Sequence, residues 1–206
     1  MQVNSSIEKQ QEKETGRIET FSDGVFCVAI TLLALEISIE AKNTATNEGL
    51  LQSLLRLWPV YLSYFISFIN VLLAWMGHHG LFKLLRKTDN SIMITNGLLL
   101  MLVALVPFPT KTLGLYLNSD ALKTATIFYT GYFVLISLAF RLLWFAAARN
   151  KNLLVHSITV TQIKQITRNE NIGLIVNTGI FLIAFINPWF ALILSFGMWV
   201  YWIVYA

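Results

Sequence analysis

The residues best able to do chemistry in this chain stand in the run Arg17-Ile-Glu-Thr-Phe21-Ser22-Asp23-Gly24. Asp23 lies near the start of a long apolar stretch, where a carboxylate is expensive and is normally paired. The dipole of a helix N-terminus offsets part of that cost, and Ser22 or Asp23 could cap first-turn amides. Arg17 lies six residues upstream, however, and the helix is expected to begin before Phe21, so capping alone does not account for Asp23. A second apolar stretch supplies donors. Trp75 and His79, four residues apart in LAWMGHHGLF, share one helix face. An indole N–H and an imidazole N–H can each donate to the Asp23 carboxylate. His78, beside them, reads as a histidine snorkelling at the end of a span.

Helical geometry separates two faces of the first apolar stretch. At 100° per residue, Gly24, Val28, Thr31 and Leu35 form one narrow stripe of small or modest side chains. Asp23 is turned roughly 140° from Val28. Asp23 therefore faces one neighbour and the stripe another. The stripe reads either as packing against other helices, as small residues often do in membranes, or as the wall of a pore.

Other chemistry is missing from the sequence. It holds no Walker loop, GxGxxG, HExxH or GxSxG, and its three histidines (His78, His79, His156) show no metal-ligand spacing. Neither an enzyme nor a bound cofactor is expected. Cys27 is the single cysteine and reads as small packing volume. Thr130-Gly131-Tyr132 resembles part of a potassium filter, but it lies inside a continuous span and reads as helix packing.

The elements that must position these residues are membrane helices. Of 206 residues, 56% are hydrophobic and 13% charged, against roughly 45–50% and about 25% in a soluble domain. Such a surface belongs in a lipid bilayer. The net charge of +4 comes from basic residues between apolar runs, where topology signals rather than nucleic-acid contacts are expected. Met1 to Gly16 reads as a disordered cytoplasmic tail, and residues 17–206 as one six-helix transmembrane domain. The six stretches fall at about 20–39, 57–84, 92–113, 122–147, 170–187 and 189–205. Asn187-Pro188 makes a tight turn between the last two. With both termini inside, ten basic residues face the cytoplasm and four the outside. Arg141 is left within the fourth span. Val155, Ile158, Ile163 and Ile166 roughly share a helical face, as an interfacial helix, a loop or an extension of the fifth span. Glu36 and Glu40 near the outer mouth either concentrate cations or are simply solvated.

Taken in order, Arg17-xxx-Phe21-Ser22-Asp23, GVFCVAITLLALEI, Trp75-xxx-His79, Asn96-Gly and Pro107-Phe108-Pro109-Thr110 resemble the transmembrane protein 175 family of potassium channels. The resemblance implies an all-α fold with six transmembrane helices per subunit and no filter loop. It implies a homotetramer in a prokaryotic plasma membrane, its central pore at the oligomer axis and lined by the first helix. Carried onto this chain, the apolar ring is Val28, with Thr31 and Leu35 one turn and two turns beyond. Val28 is smaller than the expected Ile or Leu, so Leu32 or Leu35 is the alternative constriction. Arg17, Phe21, Ser22 and Asp23, with Trp75, His79 and Asn96, become the network that fixes the pore helix. The implied activity is passive potassium flux, with potassium passing near Thr31. A secondary cation transporter is the rival, against which stands the lack of paired inverted repeats.

Overall fold

The computed structural model describes the backbone of residues 2–38 and 47–205, and the side chains of 14–38 and 49–197. Among these residues the α-helices follow in the order α1 (Gln2–Leu35), α2 (Asn47–Arg56), α3 (Trp58–Phe82), α4 (Asn90–Ala104), α5 (Pro107–Tyr116), α6 (Leu122–Arg149), α7 (Val160–Ala184) and α8 (Pro188–Tyr205), with a 3-10 turn at Lys151–Leu153 and a single bridge between Leu85 and Leu154. The helix α1 reaches back through the polar segment expected to form a tail. Glu40 lies outside the described residues.

Local sequence sets the boundaries. Asp89 opens α4 by accepting the Ile92 amide at 2.9 Å, as N-cap side chains do. Thr159 and Gln162 form a reciprocal capping box at the start of α7. Asn187 accepts the Phe190 amide at 3.0 Å ahead of α8, so the Asn187-Pro188 turn doubles as a cap. Pro107 and Pro109 cannot donate to the helix ladder, and the chain steps between α4 and α5 through i→i+3 bonds at Leu105, Val106 and Phe108. The Tyr132 hydroxyl donates to the Leu102 carbonyl at this break, at 2.6 Å.

One core joins α1, α3, α4 and α6 through residues such as Phe26, Leu33, Val71, Leu99, Val103, Leu143 and Trp144. Helix α7 lies along α6, and α8 packs on α7. The connectors that follow α3 and α6 are tied together where Arg86 N–H donates to Leu153 O at 2.8 Å and Val155 N–H to Leu84 O at 2.9 Å.

Among the described residues four helical stretches are long and apolar enough to cross a membrane: Glu14–Leu35, Trp58–Phe82, Asn90–Tyr116 and Leu122–Arg149. The sixth expected span runs beyond the described side chains, and its described part, Pro188–Gly197, is apolar but shorter. The fifth expected span falls short on composition because the first half of α7 is polar, from Thr161 to Asn171. Of the three readings for the preceding segment, the helical extension holds for Ile163 and Ile166, whereas Val155 and Ile158 lie in the loop before it. Helix α7 begins at Val160 and runs unbroken to Ala184, with Ile163 and Ile166 packed toward the core.

Candidate functional site

Helix α1 has two opposite faces. Ser22, Phe26, Ala29 and Leu33 are buried against α3 and α4. Phe21, Val28 and Leu35 stand 67%, 55% and 74% exposed, and Gly24 and Thr31 share their side of the helix. Leu32 flanks the stripe and is exposed as well. The positions 21, 24, 28, 31 and 35 alternate by three and four residues, the spacing of a seam that meets other helices along a shared axis. Among the described residues this stripe is left uncovered.

The buried face is held by two hydrogen-bonded sets. In the first, the Trp75 indole N–H donates to Asp23 Oδ1 at 2.8 Å. His79 Nδ1 lies 2.8 Å from Glu19 Oε1, and its ring stacks on Trp75 at 5.7 Å between centroids, 9° from parallel. His79 thus serves Glu19 instead of Asp23, a correction to the sequence reading. The reason is geometric. Glu19 precedes Asp23 by four residues, His79 follows Trp75 by four, and α1 and α3 run in opposite directions. Two i, i+4 pairs on antiparallel helices match rung for rung, Asp23 with Trp75 and Glu19 with His79.

The second set lies deeper. Asn96 Nδ2 donates to Ser22 Oγ at 3.0 Å, and Ser22 donates to the Ile18 carbonyl at 2.8 Å. The Asn96 amide oxygen lies 2.9 Å from His78 Nε2. Because Asn96 uses its nitrogen on Ser22, its oxygen must accept, so the proton belongs on His78 Nε2. His78 is fully buried, between the rings of Phe26 at 5.3 Å and Phe82 at 4.3 Å. It is a core residue and does not snorkel. Its Nδ1 has no partner among the described residues.

Arg17 stays outside both sets. It is exposed beside Gly16, Thr20 and Phe21 on the stripe side of α1, and among the described residues it makes no side-chain hydrogen bond. Phe21 is likewise turned outward. Sequence reasoning passed over Glu19 and misread His78. The available signal was Glu19 itself, one turn before Asp23, the same interval that joined Trp75 to His79.

The Thr31 hydroxyl donates to its own helix, to the Val28 carbonyl at 2.9 Å. That orientation leaves its oxygen lone pairs on the exposed face, able to accept from water or meet a cation. Arg141 is paired within the bundle, its Nε donating to Asn171 Oδ1 at 2.7 Å. No cluster of three or more metal-ligating side chains occurs among the described residues.

Comparisons with known proteins bear on the family of the chain. Residues 17–107, which hold both hydrogen-bonded sets, match the model of the endosomal/lysosomal potassium channel TMEM175. A potassium channel of Chamaesiphon minutus is 41% identical over 93% of this chain and 93% of its own length. The crystal structure of a lysosomal potassium-selective channel TMEM175 homologue from that organism superposes with a TM-score of 0.84 at 39% identity, covering 93% of this chain and 97% of that one. The human protein named endosomal/lysosomal proton channel TMEM175 is 36% identical over 44% of this chain, which spans 19% of its length. With a relative this similar along nearly its whole length, and with the shared helical membrane fold, this chain belongs to the TMEM175 family.

Proposed function

We propose that the chain is a potassium-selective channel, a homotetramer of six-span subunits whose α1 helices line a central pore. The exposed heptad-spaced stripe of α1 carries this reading. It presents Val28, Thr31 and Leu35, flanked by Leu32, while the opposite face is fixed to the bundle by Asp23, Glu19 and Ser22. Large apolar side chains on one exposed seam are suited to meeting copies of themselves around an axis. Both termini are placed in the cytoplasm, which the excess of basic residues on that side favours, and the bilayer is a prokaryotic plasma membrane.

In this pore an apolar ring forms the constriction, at Val28 or, further along the stripe, at Leu32 or Leu35. Forcing an ion through it strips part of its water, which costs the smaller, more tightly hydrated sodium ion more than potassium. Thr31 oxygens, with their protons turned onto Val28 carbonyls, replace part of the lost shell. Without stacked carbonyl cages the discrimination is moderate, tens-fold at about 1.4 kcal/mol per factor of ten. Asp23 stays on the far side of the helix and positions it without meeting the ion.

Flux from liposomes holding the purified protein tests the reading. A potassium gradient should drive flux uncoupled from any second ion, and Thr31→Ala and Leu35→Ala should change ion preference. Saturable flux that needs a coupled ion identifies a transporter instead. A pH-sensitive dye inside the same liposomes reports proton passage, the activity in the name of the human relative.

A further inference from the structure

At the C-terminal end of α1 an ion pair joins it to α5, a helix that takes no part in the hydrogen-bonded sets. Lys111 Nζ, from α5, lies 2.9 Å from Glu36 Oε2, and the carboxylate is the more covered partner, 24% exposed against 56% for the lysine. Glu36 directly follows Leu35, about 100° around the axis and one helical rise of ~1.5 Å further on. Its charge therefore stands where the exposed stripe ends. Repeated around an axis, such carboxylates make a negative ring at the pore mouth, and a ring of that kind gathers cations. The structure gives each carboxylate a lysine from its own chain. The break at Leu105 and Val106 separates α5 from α4, and α5 meets α1 through the Lys111–Glu36 pair.

We infer that Lys111 sets the electrostatic potential at this pore mouth. It cancels the Glu36 carboxylates, and so limits both potassium entry and the binding of divalent cations there. The inference rests on the α1-lined pore proposed above. Lys111 touches no permeating ion; it acts through Glu36 and is a positioning residue.

Single-channel recording of the purified full chain in neutral-lipid bilayers tests it, with potassium as the only permeant ion at ~10 mM and at ~1 M, where the screening length falls from about 30 Å to about 3 Å. Lys111→Gln should raise conductance roughly two- to threefold at the low concentration and hardly at all at the high one. Calcium added on the side facing the end of α1 should then block at several-fold lower concentration. Glu36→Gln should lower the low-salt conductance, leaving Lys111 uncompensated. The double variant should behave as wild type. This opposite arm keeps the test decisive if Lys111→Gln does not assemble. Wild-type current with both single variants unchanged overturns the inference and spares the pore. An effect of Lys111→Gln that persists at ~1 M or in the double variant also overturns it. Folded wild-type protein that passes no current overturns the pore reading, and this one with it.

Discussion

Trp75 on α3 donates to Asp23 on α1 at 2.8 Å, one turn above the contact of His79 with Glu19, so two antiparallel helices are joined by a pair of matched rungs. The stacked Trp75 and His79 rings hold the two donors in register. Register matters because a rotation of α1 carries the whole stripe with it. Trp75→Phe keeps an aromatic ring, a smaller one, and deletes the donor. Hydrogen bonds to charged groups and measured bonds between membrane helices bracket the loss at about 1–2 kcal/mol. Thermal unfolding in detergent should show that loss. The double variant with Asp23→Ala should lose less than the sum of the two singles, and strict additivity would argue that the bond contributes nothing.

The Ser22–Asn96–His78 chain carries its own prediction. Asn96 is the link between the two other side chains, donating to Ser22 and accepting from His78. Asn96→Ala strands the buried His78 Nε2–H, whose Nδ1 already lacks a partner among the described residues. A stranded buried donor costs roughly 1–3 kcal/mol. Ser22→Ala removes one acceptor, and the Asn96 amide keeps its bond to His78, so it should cost less. Unfolding midpoints in the order wild type, Ser22→Ala, Asn96→Ala are expected; the reverse order of the two variants would place the weight of the chain elsewhere.

Thr31 separates two readings of the stripe. Thr31→Val preserves shape and removes the hydroxyl, whose proton is spent within α1 on the Val28 carbonyl. Assembly should therefore be unaffected, while the potassium-to-sodium flux ratio in liposomes should fall several-fold. A stripe that served only for packing between copies would leave the ratio unchanged and alter the oligomer instead.

Much of this was written in the residues, but unequally. The apolar runs and their caps, from Asp89 to Asn187, are local features, and local chemistry reads directly from spacing. The two faces of α1 follow from the 100° periodicity, which is why the stripe from Gly24 to Leu35 could be drawn before any coordinates. Partner choice was harder. Asp23, Glu19, Trp75, His78 and His79 offer several pairings, and only the relative height of α1 and α3 selects among them. That height depends on core packing around Phe26, Leu99 and Trp144, a sum over many small contacts that no motif encodes. Arg17 was misplaced for a similar reason. Its spacing from Phe21 puts both on the outward face, whereas the shared motif suggested a common network.

Two glycines offer a sharper contrast between fold and pore. At Gly114 on α5 an added Cβ would lie 2.7 Å from Ser63 Oγ and 3.2 Å from the backbone of Val60. Ser63 is buried and donates to the Val60 carbonyl, and the nearby backbone cannot move without shifting α3 against α5. Overpacking of this kind costs about 1–3 kcal/mol, so Gly114→Ala should lower the unfolding midpoint. At Gly24 on α1 nothing lies within 4 Å of the added atom. Gly24→Ala should leave subunit stability unchanged or gain up to about 1 kcal/mol of helix propensity. Its methyl groups nonetheless enter the stripe, and in an α1-lined pore they narrow the path in every copy at once. Unchanged thermal stability with reduced potassium flux is the expected pair of results for Gly24→Ala. Unchanged stability with unchanged flux would put the stripe at the lipid and the permeation path on another helix.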